Sequence, residues 1–211
     1  MRARRLPIAG EGWPFIVVPG ALALALALLG RRRLALPLAA AAAASAAFFR
    51  DPERAIPVVA NGVLSPADGR VIAVEDADDP FVGRAVRVAI FLSPLDVHVN
   101  RAPIAGVVAD VVYTPGTFKA AFHPAAAGNE RCAVRLQGEH ARVSAVQIAG
   151  VLARRIVCRV GAGDKLAAGE RYGMIRFGSR TDCYMPRGTE VTVRLGEAVR
   201  GGQTVIGVLS E

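Results

Sequence analysis

The chain has 211 residues, 53% hydrophobic but only 6% aromatic, with 21% charged and a formal net charge of +8. That apolar content excludes general disorder, and three cysteines at 132, 158 and 183 are too few and too scattered for a disulfide scaffold or a cysteine zinc site. The charge is lopsided: eight arginines against three acids give residues 1–54 a net +5, whereas residues 55–211 carry +3.

The basic first quarter also holds the longest apolar runs, Pro14–Leu29 and Leu34–Phe49, with Arg31, Arg32 and Arg33 between them. Basic and apolar together point to an anionic membrane surface. No aromatic-interleaved basic stripe is present to suggest nucleic acid. Each run has 16 residues, about 24 Å as a helix, against a hydrocarbon core of about 30 Å. Three arrangements fit: a two-helix hairpin or re-entrant anchor, a single span with an interfacial helix, or a cleaved signal peptide ending in the alanine run 39–47. The interrupting arginines speak against a signal peptide. A buried soluble helix would need a polar face that neither run has. Arginines before, between and after the runs leave orientation open.

Beyond Arg50-Asp51-Pro52-Glu53-Arg54 the pattern changes to short β-branched runs separated by Gly and Pro. Val71–Val74, Val86–Leu92, Val107–Val112, Val143–Ile148, Val151–Val160 and Val191–Leu195 read as strands. The chain is therefore predicted to be mainly β: a barrel- or sandwich-like domain over 55–211 behind an apolar helical anchor over 1–54. A helix is expected only at the N-terminus and over 116–130. A weak repeat relates Gly163-Asp164-Lys165-Leu166-Ala167-Ala168-Gly169-Glu170 to Gly196-Glu197-Ala198-Val199-Arg200-Gly201-Gly202-Gln203. Each glycine pair should bracket a turn into a strand, Tyr172–Phe177 and Thr204–Leu209.

Three segments could carry chemistry. Gly178-Ser179 follows an apolar run, but Phe177 and Arg180 do not make a G-x-S-x-G elbow, and a serine there is ordinarily a turn residue. His98, flanked by Asp96 and Arg101, has the side chain best suited to move protons near neutral pH; its ordinary reading is a structural histidine at a strand end. Asp68, in Ser65-Pro66-Ala67-Asp68-Gly69, lies in a turn signal and could orient a histidine. His123 and His140 read as surface residues, and three scattered histidines make a poor metal site.

Together these segments resemble phosphatidylserine decarboxylases, in particular the short, archaeal-type class, from about Phe48 to the C-terminus. The landmarks are Phe48-Phe49-Arg50-Asp51-Pro52, Ser65-Pro66-Ala67-Asp68-Gly69, Phe91–Pro103, Asn129-Glu130-Arg131, and Gly169-Glu170-Arg171-Tyr172-Gly173 leading into Phe177-Gly178-Ser179-Arg180. The resemblance implies a proenzyme whose Ser179 hydroxyl attacks the Gly178 carbonyl. Elimination then splits the chain into a β chain, 1–178, and an α chain, 179–211, headed by a pyruvoyl group. The substrate amine would form a Schiff base with that group and lose CO2, turning phosphatidylserine into phosphatidylethanolamine for phospholipid biosynthesis. It also implies a heterodimer of α and β chains, with or without higher assembly, at the cell membrane with the catalytic domain on the cytoplasmic side.

In one respect the sequence departs from longer bacterial members of that family, which have two histidines in the stretch matching Asp96–Pro103. Here only His98 is present, and Arg101 occupies the second position. The expectation is that His98 transfers the proton to the substrate carbanion, that Asp68 supports self-cleavage, and that the base for Ser179 is unassigned. Arg180 is a candidate contact for the lipid phosphate or carboxylate. Two other readings account for part of the pattern: a pyruvoyl decarboxylase of a soluble amino acid, and a membrane-anchored barrel-sandwich adaptor without chemistry.

Overall fold

A computed structural model of the chain describes residues 7–119, 126, 128–150, 155–176 and 179–210. The chain divides into two units, Met1–Glu53 and Arg54–Glu211.

In the first unit a 3-10 turn, Gly10–Gly12, runs into helix α1, Trp13–Leu28, and helix α2, Arg32–Phe48, packs back against it. Pro14 lies in the first turn of α1, where its missing N–H is harmless. Gly30 at φ +74 closes the helix end, its amide donating to the Ala27 carbonyl while the Arg31 amide donates to Leu26. At the open end Ala9 N–H donates to Phe49 O and Asp51 N–H to Pro7 O. The Phe49 ring stacks on Phe15 with centroids 5.5 Å apart, and it fills the space beside Gly12 that a Cβ would need. The large side chains point outward: Val18, Leu22, Leu24, Leu28, Leu29 and Leu36 are all exposed. A hairpin with an apolar exterior is suited to lipid rather than water. Counting the 3-10 turn, Gly10–Leu28 is the one helical stretch among the described residues long and apolar enough to cross a membrane.

The second unit is antiparallel β. Its strands are β1 Gly62–Leu64, β2 Gly69–Asp79, β3 Gly83–Leu92, β4 Val99–Arg101, β5 Gly106–Thr114, β6 Arg131–Gln137 and β7 Arg142–Ile148. They continue with β8 Ile156–Cys158, β9 Lys165–Leu166, β10 Arg171–Ile175, β11 Ser179–Pro186, β12 Glu190–Val191, β13 Ala198–Val199 and β14 Val205–Val208. Eight of them form one sheet in the order β13-β2-β3-β11-β7-β6-β5-β9, curled into a half-barrel. Two three-stranded sheets, β1-β14-β12 and β4-β10-β8, complete the unit. The core gathers Val88, Ile90, Leu136, Tyr172, Met185 and Ile206, all fully buried.

Local chemistry explains the tight connections. In the β2–β3 hairpin the Asp79 carboxylate accepts the Phe81 and Val82 amides at 2.9 Å each, and Gly83 turns the chain at φ +84. The glycine repeat is a structural one. Gly163, Gly169, Gly196 and Gly202 all have positive φ. In each copy the acid caps an amide three residues back: Asp164 that of Gly161, Glu197 that of Arg194. One copy supplies β9 and the other β13, the two edges of the large sheet.

One expectation needs correction. Val191–Leu195 alternates in sequence, but the strand stops at Val191; Thr192 N–H still donates to Ile206, and Leu195 is exposed. Of the helix expected over 116–130, residues 126 and 128 lie in a 3-10 turn, while Thr117 bridges Asn129 in parallel; residues 120–125 and 127 lie outside the described residues. Buried Asn129 holds that loop, donating to Lys119 O at 2.7 Å and Ala149 O at 2.8 Å and accepting from Lys119 N–H.

Gly69 has φ +146, and a Cβ there would lie 2.0 Å from the Phe91 carbonyl oxygen. Gly163 has φ +93 with open space around it. Gly163→Ala should therefore show only backbone strain, about 1–2 kcal/mol, whereas Gly69→Ala must also displace β3. Thermal unfolding of the full chain in detergent should show the Gly69 variant melting well below the Gly163 variant; equal midpoints would contradict the close approach.

Candidate functional site

Ser179 is the first residue of β11, and its position is fixed by pairing with Leu92 of β3. Along the strand the side chains alternate. Cys183 and Met185 belong to the apolar core, which puts Ser179 and Thr181 on the core face as well. Ser179 is fully buried, and its hydroxyl has no hydrogen-bond partner among the described residues. An unsatisfied buried hydroxyl is unfavourable by about 1–3 kcal/mol, and such exceptions call for an explanation. Gly178 lies outside the described residues, as does His123.

His98 reaches the same neighbourhood through a short turn. The Asp96 carboxylate accepts the Ser93 amide and hydroxyl, both at 2.7 Å, which ties the turn after β3. The Asp96 carbonyl then accepts from His98 Nδ1 at 2.9 Å. A carbonyl can only accept, so Nδ1 carries the proton and Nε2 of the neutral ring carries the lone pair. His98 is fully buried, and its own carbonyl accepts the Ile175 amide, four residues ahead of Ser179. The backbone before Ser179 is thus held on His98, while Ser179 itself is held on Leu92.

A buried amide cluster links these elements. Asn100 of β4 donates to Thr181 Oγ1 at 3.1 Å, and its Oδ1 accepts from Gln147 Nε2 at 2.9 Å. Gln147 is the cross-strand partner of Thr181. All three side chains are fully buried. Nothing in the sequence marks this cluster: Gln147 and Thr181 meet through the pairing of β7 with β11, and Asn100 reaches them from another sheet.

Asp68 has partners other than a histidine. Its carboxylate receives Arg54 at 2.5 and 2.7 Å and the Gly201 amide at 2.8 Å. Arg54 also donates to the Gly201 carbonyl. Arg101, the residue in the second-histidine position, is buried; its Nη1 donates to Gly169 O at 3.0 Å and its side-chain stem packs on Gly202. Asp68 and Arg101 therefore meet opposite ends of one turn, Gly201–Gly202.

Arg180 projects to the other side of β11 from Ser179. Its guanidinium is bidentate on Asp182, at 2.7 Å for each bond, and Arg87 approaches the same carboxylate at 3.3 Å while bonding Glu75. Burial pushes the Asp182 carboxyl above the usual carboxylate range, and the two arginines offset this only in part. Its engagement with Asp182 and its place in the strand tie Arg180 to β11, on the face opposite Ser179.

The same order of segments occurs in known proteins. Residues 42–207 match the phosphatidylserine decarboxylase family. A phosphatidylserine decarboxylase proenzyme of Burkholderia pseudomallei (strain K96243) is 48% identical over 207 residues, covering 97% of this chain and 96% of the relative. Proteins of the same name from Burkholderia lata and Burkholderia cenocepacia are 45% and 44% identical, each with 97% of both chains covered. The family match and these relatives place the chain among the decarboxylases. The chain belongs to the phosphatidylserine decarboxylase family.

The Arg54–Asp68 pair is nearly buried, with side chains 7% and 13% exposed. Arg54→Met would strand the carboxylate and should destabilise the chain by about 3–5 kcal/mol. Adding Asp68→Asn should recover part of that loss. Chemical unfolding of both variants checks the coupling, and equal stability of single and double variants would show that the pair is not one unit.

Proposed function

We propose that the chain is a self-processing phosphatidylserine decarboxylase proenzyme of the short class, which makes phosphatidylethanolamine at a membrane. The observation that carries this reading is Ser179: a buried hydroxyl with no partner among the described residues, at the start of a central strand and directly after Gly178. Attack of Ser179 Oγ on the Gly178 carbonyl moves the acyl group from nitrogen to oxygen. Elimination then breaks the Cβ–O bond, freeing Gly178 as a carboxylate and leaving dehydroalanine at position 179. Its enamine tautomerises and is hydrolysed, releasing ammonia. The products are a β chain, 1–178, and an α chain, 179–211.

The pyruvoyl group so formed supplies a carbonyl that takes up the substrate amine and draws off the electrons left as CO2 departs. Its neighbours fit that task. Ser179 is enclosed by core residues, which keeps water out, and the Asn100–Gln147–Thr181 cluster holds β4, β7 and β11 in register around it. Because His98 Nδ1 is committed to Asp96 O, Nε2 is the nitrogen that takes up a proton and passes it on, and we assign it the proton delivered to the substrate carbon. Asp68 supports self-cleavage from beside the Gly201–Gly202 turn, acting with Arg54 and near Arg101 rather than through a histidine. Arg180 is given the structural task described above.

Membership of the short class is supported by relatives of nearly the same length, which this chain covers to 96–97%. The apolar helix Gly10–Leu28 supports membrane anchoring, so that the lipid tails need not leave the bilayer. We place the catalytic unit on the cytoplasmic face, where the three cysteines are free.

Intact mass measurement of the purified protein should find two chains split between 178 and 179, the shorter with a blocked N-terminus. Ser179→Ala should remain one inactive chain. A wild-type protein that is active and uncleaved would overturn the reading. His98→Ala should process but lose at least 100-fold in turnover on phosphatidylserine vesicles, a typical general-acid contribution. Turnover of free serine in place of the lipid would instead indicate a soluble amino-acid substrate.

A further inference from the structure

The cysteines fall outside the site described above, and two of them converge. Cys132 of β6 lies opposite Gln147 of β7. The Gln147 side chain crosses to the other sheet and donates to the carbonyl of Val157 in β8, at 3.4 Å. Cys158 follows Val157 directly, and β6 packs on β8. The Cys132 and Cys158 thiols come close enough to perturb each other's ionisation. Cys158 is only half-buried, with its sulfur 3.6 Å from the Val160 carbonyl, whereas Cys132 is buried. The hydroxyl of fully buried Tyr172 has no hydrogen-bond partner among the described residues, and it lies close enough to the thiols for their charge to push the phenol up, in addition to burial.

We propose that Cys132 and Cys158 form a redox-active dithiol, closed to a disulfide by a low-molecular-weight disulfide such as oxidised glutathione. Cys158 is the attacking sulfur. The neighbouring Cys132 thiol lowers Cys158 to about 7 against the opposing effect of burial, which favours its thiolate. Cys132, pushed far up by Cys158 and by burial, keeps its proton and acts second.

The steps balance. The Cys158 thiolate attacks one sulfur of glutathione disulfide, breaks its S–S bond and expels one glutathione thiolate. Cys132 then loses its proton and displaces the second glutathione from Cys158, forming the Cys132–Cys158 bond. Two protein thiols are oxidised and one glutathione disulfide is reduced to two thiols, which take up the protons released. Cys183 is fully buried in the core, and burial pushes its thiol up, so it takes no part. The bond would join β6 of the large sheet to β8, whose ladder partner β10 leads toward Ser179.

The full chain in detergent should be equilibrated in glutathione buffers of rising disulfide fraction, quenched in acid, alkylated with N-ethylmaleimide and mapped by peptide mass. The expected result is loss of two alkylation sites, with a Cys132–Cys158 cross-linked peptide 2 Da lighter than the reduced pair (one hydrogen from each thiol). Cys183 should remain alkylated, and dithiothreitol should restore all three sites. Cys132→Ser should retain a glutathione adduct at Cys158. On the wild-type chain, the rate of Cys158 alkylation by iodoacetamide should rise with pH with a midpoint of about 7. Three alkylated cysteines in excess glutathione disulfide, or a cross-link that includes Cys183, would overturn the proposal. These readouts are independent of decarboxylation, so the dithiol and the enzymatic reading stand or fall separately.

Discussion

The ladder that β11 makes with both of its neighbours is the constraint on which the rest of the catalytic unit depends. Residues 179–186 pair along their whole length with Leu92–Ala85 of β3, and residues 180–184 pair with Ile148–Ser144 of β7. A strand from the last sixth of the chain thereby closes a sheet whose other central strands come from the first three quarters. The same ladder fixes which side chains face inward. A shift by one residue would exchange Ser179 and Thr181 for Arg180 and Asp182 on the core face. The Arg180–Asp182–Arg87–Glu75 chain of ion pairs on one face and the Asn100–Gln147–Thr181 amides on the other both oppose such a slip.

This arrangement also reconciles chain cleavage with stability. A break between 178 and 179 would fall at the end of β11, not within it. The 179–211 segment would keep β11 between β3 and β7, β14 between β1 and β12, and β13 on β2. It could not leave without unzipping the middle of the large sheet. Processing would therefore change the chemistry at position 179 while the fold stays closed.

Much of the fold was legible in the sequence because its signals are local. The β-branched runs mark β2, β3, β5 and β7, and the glycine repeat gave the two edge turns before their positions in the sheet were known. Val191–Leu195 misled because its alternation reflects one buried side chain, Val193, rather than continued pairing. In the 116–130 segment Asn129 makes bonds across the loop that one continuous helix would not allow. At the candidate site, Ser179, His98 and Asp68 were singled out through family resemblance. Their partners were not: Arg54 reaches Asp68 from 14 residues away, and Gln147 reaches Asn100 from 47. Sequence places Arg180 beside Ser179, but alternation along the strand puts their side chains on opposite faces.

The glycine repeat has one further consequence. Exposed sheet edges invite strand addition and aggregation. Here both edge strands, β9 and β13, are two residues long, and each is bracketed by glycines in the left-handed conformation. Such edges offer too little straight backbone for a second chain to pair with. Extension of the large sheet from one copy to the next is therefore closed off at both ends.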